Sequence, residues 1–307
     1  MTKKILVTGA AGFIGSALCK RLIETNDNLV VGLDNFLTGK PSNLPKAQNF
    51  KFLRADVNEK SALRALMYSE HFDFVFHYAA VVGVKRTLDN PLLVLRDIEG
   101  IREILELSTY CGVKRFFYAS SSEVYGEPVE IPQNEDTTPL NSRLPYAIVK
   151  NVGEAMVRSF ASIHGLNYTI FRFFNTYGPA QSDDFVMARF IDRALNNEEL
   201  EIYGDGMQTR TFCYIDDNLQ ATLAALNEGL EINQTINIGS DRETTIKDLA
   251  YLIIEMTGSD SRVVHRPSLK EGDMSRRCPD NTRFRLMLRR DLVSLEQGIK
   301  RILEYPR

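Results

Sequence analysis

The 307-residue chain is poor in the residues that hold metals or disulfides. Its four cysteines, Cys19, Cys111, Cys213 and Cys278, form no C-x-x-C pair, and its four histidines, His71, His77, His164 and His265, do not join them at ligand spacing. Neither a metal centre nor a disulfide framework is readable. An excess of one charge is also missing: 37 basic against 40 acidic residues leave −3, so the broad positive field that coats nucleic acid is not expected. Any anion must be met by local arginines. No apolar run approaches the roughly 20 residues of a membrane helix. The stretch up to Leu18-Cys19 superficially imitates a signal sequence, but glycines interrupt it, and a location in the reducing cytoplasm without membrane contact is expected. No repeat, low-complexity tract or charged tail stands out.

What is present is an ordinary globular balance, 44% hydrophobic and 25% charged, over a length that suits one large α/β unit with a smaller lobe. Apolar runs recur as candidate strands at 4–8, 29–34, 50–53, 72–77, 115–120 and 168–173, each separated from the next by enough chain for a helix or crossover. Such alternation predicts a doubly wound parallel sheet of Rossmann type, with ligands at the carboxyl ends of the strands. From about Phe174 the pattern loosens around Gly178-Pro179, Gly204-Asp205-Gly206 and Gly272-Asp273, and helical periodicity returns at 218–230 and 246–256. We expect a cofactor domain over 1–173, joined again by about 233–258, and a substrate lobe from 174–232 and 259–307.

The first strand runs into Gly9-Ala10-Ala11-Gly12-Phe13-Ile14-Gly15. Gly9 permits a tight turn, Gly12 lets backbone amides approach a pyrophosphate, and Gly15 lets the new helix pack on the sheet with its N-terminus facing the anion. Alone, this spacing also fits a plain strand–turn–helix connection. Asp34, about 20 residues further on, adds a carboxylate placed to accept both ribose hydroxyls and to repel a 2′-phosphate, which favours NAD over NADP.

Tyr146 and Lys150 lie at i and i+4 on one face of a helix expected to start after Pro145. Bringing a tyrosine from its ordinary pKa near 10 to about 7 takes roughly 4 kcal/mol. A positive charge about 5 Å away supplies around 3 kcal/mol at an effective dielectric of about 20. Lys150 together with a cationic nicotinamide is sufficient. By itself such a pair is an ordinary helix surface contact; its company with the glycine fingerprint and Ser120-Ser121-Ser122 gives it a chemical reading.

In these motifs the chain resembles the extended short-chain dehydrogenases/reductases of the nucleotide-sugar epimerase/dehydratase group, over nearly its whole length. The resemblance implies cofactor contacts from Gly9, Gly12, Phe13, Ile14, Gly15, Asp34, Asn35, the Asp56-Val57 pair and the His77-Tyr78-Ala79-Ala80 turn. It matches Ser121, four residues before the Tyr125 of Val-Tyr-Gly, to the catalytic serine, and Tyr146 and Lys150 to the proton-exchanging tyrosine and the lysine that holds the nicotinamide ribose. Asn175, Arg210 of the Gly204–Asp217 segment and Arg277 of Arg276-Arg277-Cys278-Pro279-Asp280 match its sugar-diphosphate contacts, with Ser122 beside them. The implied activity is NAD-dependent modification of a nucleotide-diphosphate sugar through a transient 4-keto intermediate.

Three outcomes branch from that ketone. Turning it over before hydride returns gives 4-epimerisation, the main expectation, which the Leu144-Pro145-Tyr146 context favours. Removal of the C5 proton with loss of water gives a 4,6-dehydratase; a C6 carboxylate permits decarboxylation of a UDP-glucuronate type of substrate. Glu123 bears on this choice, since dehydratases and uronic-acid decarboxylases that the chain resembles commonly carry glutamate there, whereas Ser122 replaces an aspartate used by some dehydratases. A capping or salt-bridging role for Glu123 is equally open. A steady-state carbonyl reductase and a non-enzymatic dinucleotide sensor are further readings, although sensors of this fold commonly lose the tyrosine–lysine pair. The chain also departs from its relatives in lacking their Gly-Trp-x-Pro: it has no tryptophan, and Leu288–Val293 runs directly into Ser294. Apolar stripes along 91–111 (Leu92, Leu95, Ile98, Ile101, Leu105) and 146–164 (Val149, Val152, Met156, Phe160) are ordinary core by periodicity; in similar proteins these two helices form a homodimer interface.

Overall fold

The computed structural model describes residues 2–268 and 274–306; the expected turn at Gly272-Asp273 lies outside them. Six strands alternate with helices: β1 (Lys3–Thr8), α1 (Phe13–Ile23), β2 (Asn28–Asp34), β3 (Phe50–Arg54), α2 (Lys60–Glu70), β4 (Phe74–His77), α3 (Val84–Asp89), α4 (Pro91–Leu95), α5 (Asp97–Tyr110), β5 (Arg115–Ser121), α6 (Pro145–His164) and β6 (Tyr168–Phe173). With the later strand Gln234–Ile238 on one edge they form one seven-stranded sheet, in the spatial order Gln234–Ile238, β6, β5, β4, β1, β2, β3. The pairs β1–β2, β1–β4, β2–β3 and β4–β5 are parallel. The order reverses between β1 and β4, the switch point at which a doubly wound sheet opens a crevice for ligand.

The strands are buried because helices cover the sheet. Leu6, Val31, Leu33, Val75 and Phe116 pack with Leu63 and Met67 of α2, Ile101, Ile104 and Leu105 of α5, and Val149 and Val157 of α6. Each such aliphatic chain contributes roughly 1.5–3 kcal/mol of burial free energy. The expected helical stripes therefore divide in two: Ile101, Leu105 and Val149 are core, whereas Leu92 is 81% exposed. The helix expected over 91–111 divides at Arg96, directly before Asp97 turns its carboxylate inward. Helix α6 opens with Pro145 at its first turn and ends at Gly165, whose φ of +71° closes it in the left-handed conformation.

The chain forms two compact units. The first comprises residues up to Val124 with Arg143–Arg172 and Thr222–Ile236; the second comprises Tyr125–Ser142, Phe173–Ala221 and the chain from Asn237 onward. These boundaries differ from the expected ones at 125–142, 222–232 and 237–258. The reason is long-range pairing: Gln133 bridges Pro279, and the Tyr125 hydroxyl donates to Asn237 Oδ1 at 2.8 Å. The second unit is built from short ribbons, including Thr209–Thr211 antiparallel to Glu243–Thr245 and Leu200–Tyr203 parallel to Val263–Arg266. Where relatives carry Gly-Trp-x-Pro, Arg289 closes a helix at φ +54°, the Arg290 guanidinium reaches Asp217 at 2.7 Å, and Ser294 caps the helix Leu295–Leu303. An ion pair and a capping box hold the shortened connection.

Candidate functional site

The glycine loop is shaped by contacts on both sides. Gly9 has φ +71°, and a Cβ there would lie 2.8 Å from Tyr78 C and Ala79 N, so the ends of β1 and β4 meet backbone to backbone. A Cβ on Gly15 would lie 2.1 Å from Gly9 O, which lets α1 start flush against the loop. Gly12 is the N-cap of α1, with no side-chain cap bond and no acidic residue in the first turn. The amides that open α1 thus face a terminus that the chain itself supplies with no anion, as a pyrophosphate site requires.

Asp34 is 8% exposed at the end of β2. Its carboxylate accepts from Ala11 N at 2.9 Å and Phe36 N at 2.7 Å, so it fixes the glycine loop as well as facing the position expected for a ribose. Each oxygen keeps a further lone pair for a hydroxyl. Asn35 Oδ1 accepts from Leu37 N at 2.8 Å in a local turn, and Asp56 Oδ1 accepts from Asn58 N at 2.9 Å, while Val57 is buried in the core.

Thr8 is an organising residue that motif reading did not single out. Its hydroxyl accepts from Tyr78 N and Ala79 N, both at 3.1 Å, and donates to His77 Nδ1 at 3.0 Å. One donor and two acceptors are satisfied, so His77 is neutral with its proton on Nε2. Burial first, then the Lys150 charge, pushes the His77 pKa down to about 3. The signal available in the sequence was a hydroxyl at a strand end beside a glycine. The Ala79-Ala80 turn is held in this way.

Ser121 ends β5, and its Oγ accepts from Glu123 N at 3.2 Å; Ser122 and Glu123 belong to the single 3-10 turn Ser122–Tyr125. The three serines are thereby separated. Ser120 donates to Glu154 Oε1 at 2.6 Å, and Glu154 is gripped by Arg172 through Nε at 2.8 Å and Nη2 at 2.7 Å and by Arg158 at 2.7 Å. Ser120 is a structural residue of the α6 packing.

Tyr146 and Lys150 lie one turn apart on α6, with Lys150 Nζ 5.7 Å from the Tyr146 ring centre. Lys150 is 3% exposed and donates to Ala119 O at 2.6 Å. Burial pushes its pKa down to about 8, while Asp97 and Glu154 oppose that fall. Its ammonium sits 5.2 Å from the Tyr118 ring centre, and a Cβ on Gly153 would lie 2.0 Å from Tyr118 Oη. Gly153, which no motif flagged, makes room for the floor beneath Lys150. The first unit thus holds the phenol and ammonium on α6, and the serine hydroxyl and glycine loop at the ends of β5 and β1, groups of the kind proton exchange beside a dinucleotide requires.

The second unit carries Asn175, Arg210 and Arg277, the residues expected to meet the sugar diphosphate. Asn175 has φ +29°, and its Nδ2 donates to Thr211 O at 3.0 Å. Arg210 is buried on its ribbon and donates to Thr209 O at 2.7 Å. Thr209 N donates to Ser275 O at 3.2 Å, which brings the two arginine segments side by side. Within the Arg276-Arg277 pair the roles separate: exposed Arg276 pairs with Glu243, with Nε 2.7 Å from Oε1, whereas Arg277 is buried with Nε 3.2 Å from Met274 Sδ. Among the described residues there is no cluster of metal-binding side chains, and no helix is long and apolar enough to cross a membrane.

Comparison with known proteins agrees with this geometry. Residues 5–239 match the model of the NAD dependent epimerase/dehydratase family. The chain is 36% identical to the UDP-N-acetyl-α-D-glucosaminuronate decarboxylase of Bacillus cytotoxicus, over 99% of this chain and 98% of that protein. Among solved structures it resembles the UDP-glucose 4-epimerase of Thermotoga maritima with UDP-glucose, with TM-score 0.92, 36% identity and 98% of each chain covered. It also resembles the UDP-glucuronic acid 4-epimerase of Bacillus cereus in complex with UDP-glucuronic acid and NAD, with TM-score 0.90, 32% identity and 98% of each chain covered.

Proposed function

We propose that this chain, which belongs to the NAD-dependent epimerase/dehydratase family, oxidises C4 of a nucleotide-diphosphate hexuronic acid and decarboxylates the resulting ketone. NAD, which the glycine loop, Asp34 and Lys150 would hold, would supply a reversible hydride acceptor for C4, so that no second redox substrate would be consumed. Tyr146 takes the O4 proton as a phenolate and gives it back at the end, polarised by the Lys150 ammonium. Ser121 donates to O4 throughout. With a ketone at C4, the C6 carboxylate is β to a carbonyl: the C5–C6 bond breaks, carbon dioxide leaves, and the electron pair remains as a C4–C5 enolate held by Ser121 and Tyr146. Protonation at C5 gives a 4-keto pentose, and reduction at C4 completes the product.

The observation that carries this reading is Glu123, tied through its own amide to Ser121 Oγ. A plain 4-epimerase needs proton exchange at O4 alone, which Tyr146 provides. Chemistry at C5 needs a second proton-handling group near the catalytic serine, and Glu123 is that group. Dehydration needs a further acid for the departing hydroxyl, and at the neighbouring position the chain has Ser122. Arg210 and Arg277 suit the diphosphate, because guanidinium donates paired hydrogen bonds to phosphate oxygens. The similar Bacillus cytotoxicus enzyme, a decarboxylase of a nucleotide-linked uronic acid, supports the same choice. 4-Epimerisation is the second reading, favoured by Leu144-Pro145-Tyr146 and by the two epimerases the chain resembles.

Incubation with UDP-glucuronate, UDP-N-acetylglucosaminuronate and UDP-glucose, followed by mass spectrometry and NMR, separates the outcomes. Loss of carbon dioxide from a uronate is expected. Inverted stereochemistry at constant mass replaces this reading with 4-epimerisation, and loss of water with dehydration. Glu123→Gln is expected to slow formation of the pentose product about 100-fold while C4 oxidation persists. We further propose a homodimer: Leu92 and Leu95 on α4 and Ile148 and Ile163 on α6 remain exposed on elements of the first unit. Light scattering checks this, and a monomer at all concentrations overturns it.

A further inference from the structure

Two phenol rings flank the buried ammonium of Lys150. Its Nζ lies 5.2 Å from the centre of the Tyr118 ring on β5 and 5.7 Å from that of Tyr146, one turn back on its own helix, and it donates to Ala119 O at 2.6 Å. The other titratable groups that face it, from α5, α6 and β4, are Asp97, Glu154 and His77. His77 is neutral, Asp97 accepts from Val81 N and Asn58 Nδ2, and Glu154 accepts from Ser120, Arg158 and Arg172. Neither carboxyl group forms an ion pair with Lys150 among the described residues. What touches the charge is a carbonyl and two aromatic faces.

The two rings are not equivalent. Tyr146 is partly buried, whereas Tyr118 is fully buried, with its hydroxyl set against Gly153 and without a hydrogen-bond partner among the described residues. Burial pushes that phenol well up, so it stays protonated. A Cβ on Gly153 would lie 2.0 Å from Tyr118 Oη, so a side chain there would displace the ring from beneath Lys150, and the His77 ring stacks with it at 6.1 Å and 12° between planes. Both neighbours fix the ring. The negative face of an aromatic ring attracts an ammonium within about 6 Å, most strongly where water is excluded, and has no comparable hold on a neutral amine. Burial alone drives Lys150 the other way.

We infer that Tyr118 is a positioning residue whose ring face seats the Lys150 ammonium and keeps it charged beside Tyr146, with Gly153 admitting the ring. This deepens the proposed function and rests on its assignment of Tyr146 and Lys150 to proton exchange. Tyr146 alternates between phenol and phenolate in that role, but Tyr118 presents the same face at every stage. The paired phenols thereby divide the work: one moves the proton, and the other holds the charge that polarises it.

The test is a direct titration of Lys150 in the intact protein with 13Cε-labelled lysine, the signal being identified by its loss in Lys150→Met. Tyr118→pentafluorophenylalanine keeps a ring of similar size and reverses the sign of its face, and the Lys150 midpoint is expected to fall by about one pH unit or more. Tyr118→Phe keeps the face and removes the unpartnered hydroxyl, and there the midpoint is expected to stay in place. Tyr118→Leu, a second route should the fluorinated protein fail to fold, removes the face and is expected to lower the midpoint as well. Direction separates this role from packing: a ring that merely filled space would on removal admit water, and water raises the midpoint of a buried lysine. An unmoved or raised midpoint with either replacement, or a Tyr118→Phe midpoint that falls as far as theirs, overturns the inference. None of these readouts needs turnover. A normally active Tyr146→Phe would defeat the enzymatic assignment and leave the seat of Lys150 standing, whereas an inactive Tyr146→Phe with an unmoved midpoint in the fluorinated protein defeats the seat alone.

Discussion

The two units hold their functional side chains by different means. In the first, three groups are fixed by partners distant in sequence: Asp34 at the end of β2 by Ala11, Thr8 at the end of β1 by His77 and Ala79, and Lys150 on α6 by Ala119. In the second, Arg210 leans on its neighbour Thr209 and Arg277 on Met274, three residues away. A parallel sheet sets all its strand ends at once, and α6 packs on it through Val149 and Val157 with Tyr146 and Lys150 one turn apart. The ribbons set these two arginines against near neighbours, while Asn175 reaches Thr211, 36 residues away. Such a framework tolerates exchange of one phosphate contact for another, which suits the part of a protein that distinguishes substrates.

That contrast can be broken most strongly at Tyr146. Tyr146→Phe is expected to lower turnover by roughly a thousandfold, within the range that general acid–base groups supply, with NAD affinity nearly intact by fluorescence titration. Near-normal turnover refutes the base assignment. Next in size is Gly15→Ala, whose Cβ would meet Gly9 O at 2.1 Å. Separation of α1 from the loop should cost about 1–3 kcal/mol in denaturant unfolding and weaken NAD binding at the same time. In the second unit the two effects should come apart: Arg277→Gln is expected to raise KM for the nucleotide sugar about tenfold or more with stability and NAD affinity little changed. The adjacent Arg276→Gln, which removes an exposed ion pair with Glu243, is expected to change neither by more than about 1 kcal/mol.

A separate check is pH-dependent stability. His77 has its folded pKa near 3 against an ordinary 6.5, so the unfolded chain binds the proton first. Its contribution is fully present above pH 6.5 and is lost as pH falls from 6.5 towards 3. Denaturant melts across that range should show this loss in the native protein and less of it in His77→Gln. For Lys150 the sign is the same and the window differs: its folded pKa near 8 lies below the ordinary 10.5, so the penalty of burying the charge is relieved between pH 8 and 10.5, where stability rises and the ammonium disappears. An alkaline fall in turnover near pH 8 alongside a rise in stability would separate chemistry from folding.

Much of the first unit was legible because its signals are local. A strand, three glycines and an acid at fixed spacing state a turn, a close approach and a ribose contact, and Tyr146 and Lys150 share a helical face by periodicity alone. The choice among Ser120, Ser121 and Ser122 needed the family resemblance, and the structure shows why: Ser120 is taken by Glu154, a partner 34 residues away. Asp97 is one of three acids between Leu92 and Leu105, with Glu99 and Glu103, and nothing nearby in the chain announces its bonds to Asn58 and Val81. The break at Arg96 and the assignment of 125–142 to the second unit escaped the same reading, since Tyr125–Asn237 and Gln133–Pro279 join residues more than a hundred positions apart.

By itself the sequence determined the sheet's alternation, the glycine loop, the acid at the end of β2 and the tyrosine–lysine pair, because each is a matter of spacing within one or two elements. Only the tertiary structure decided which serine is taken up in packing and which of two adjacent arginines is buried. Those are properties of burial and of charge balance in a folded interior, and a linear pattern carries no record of which groups have been withdrawn from water together.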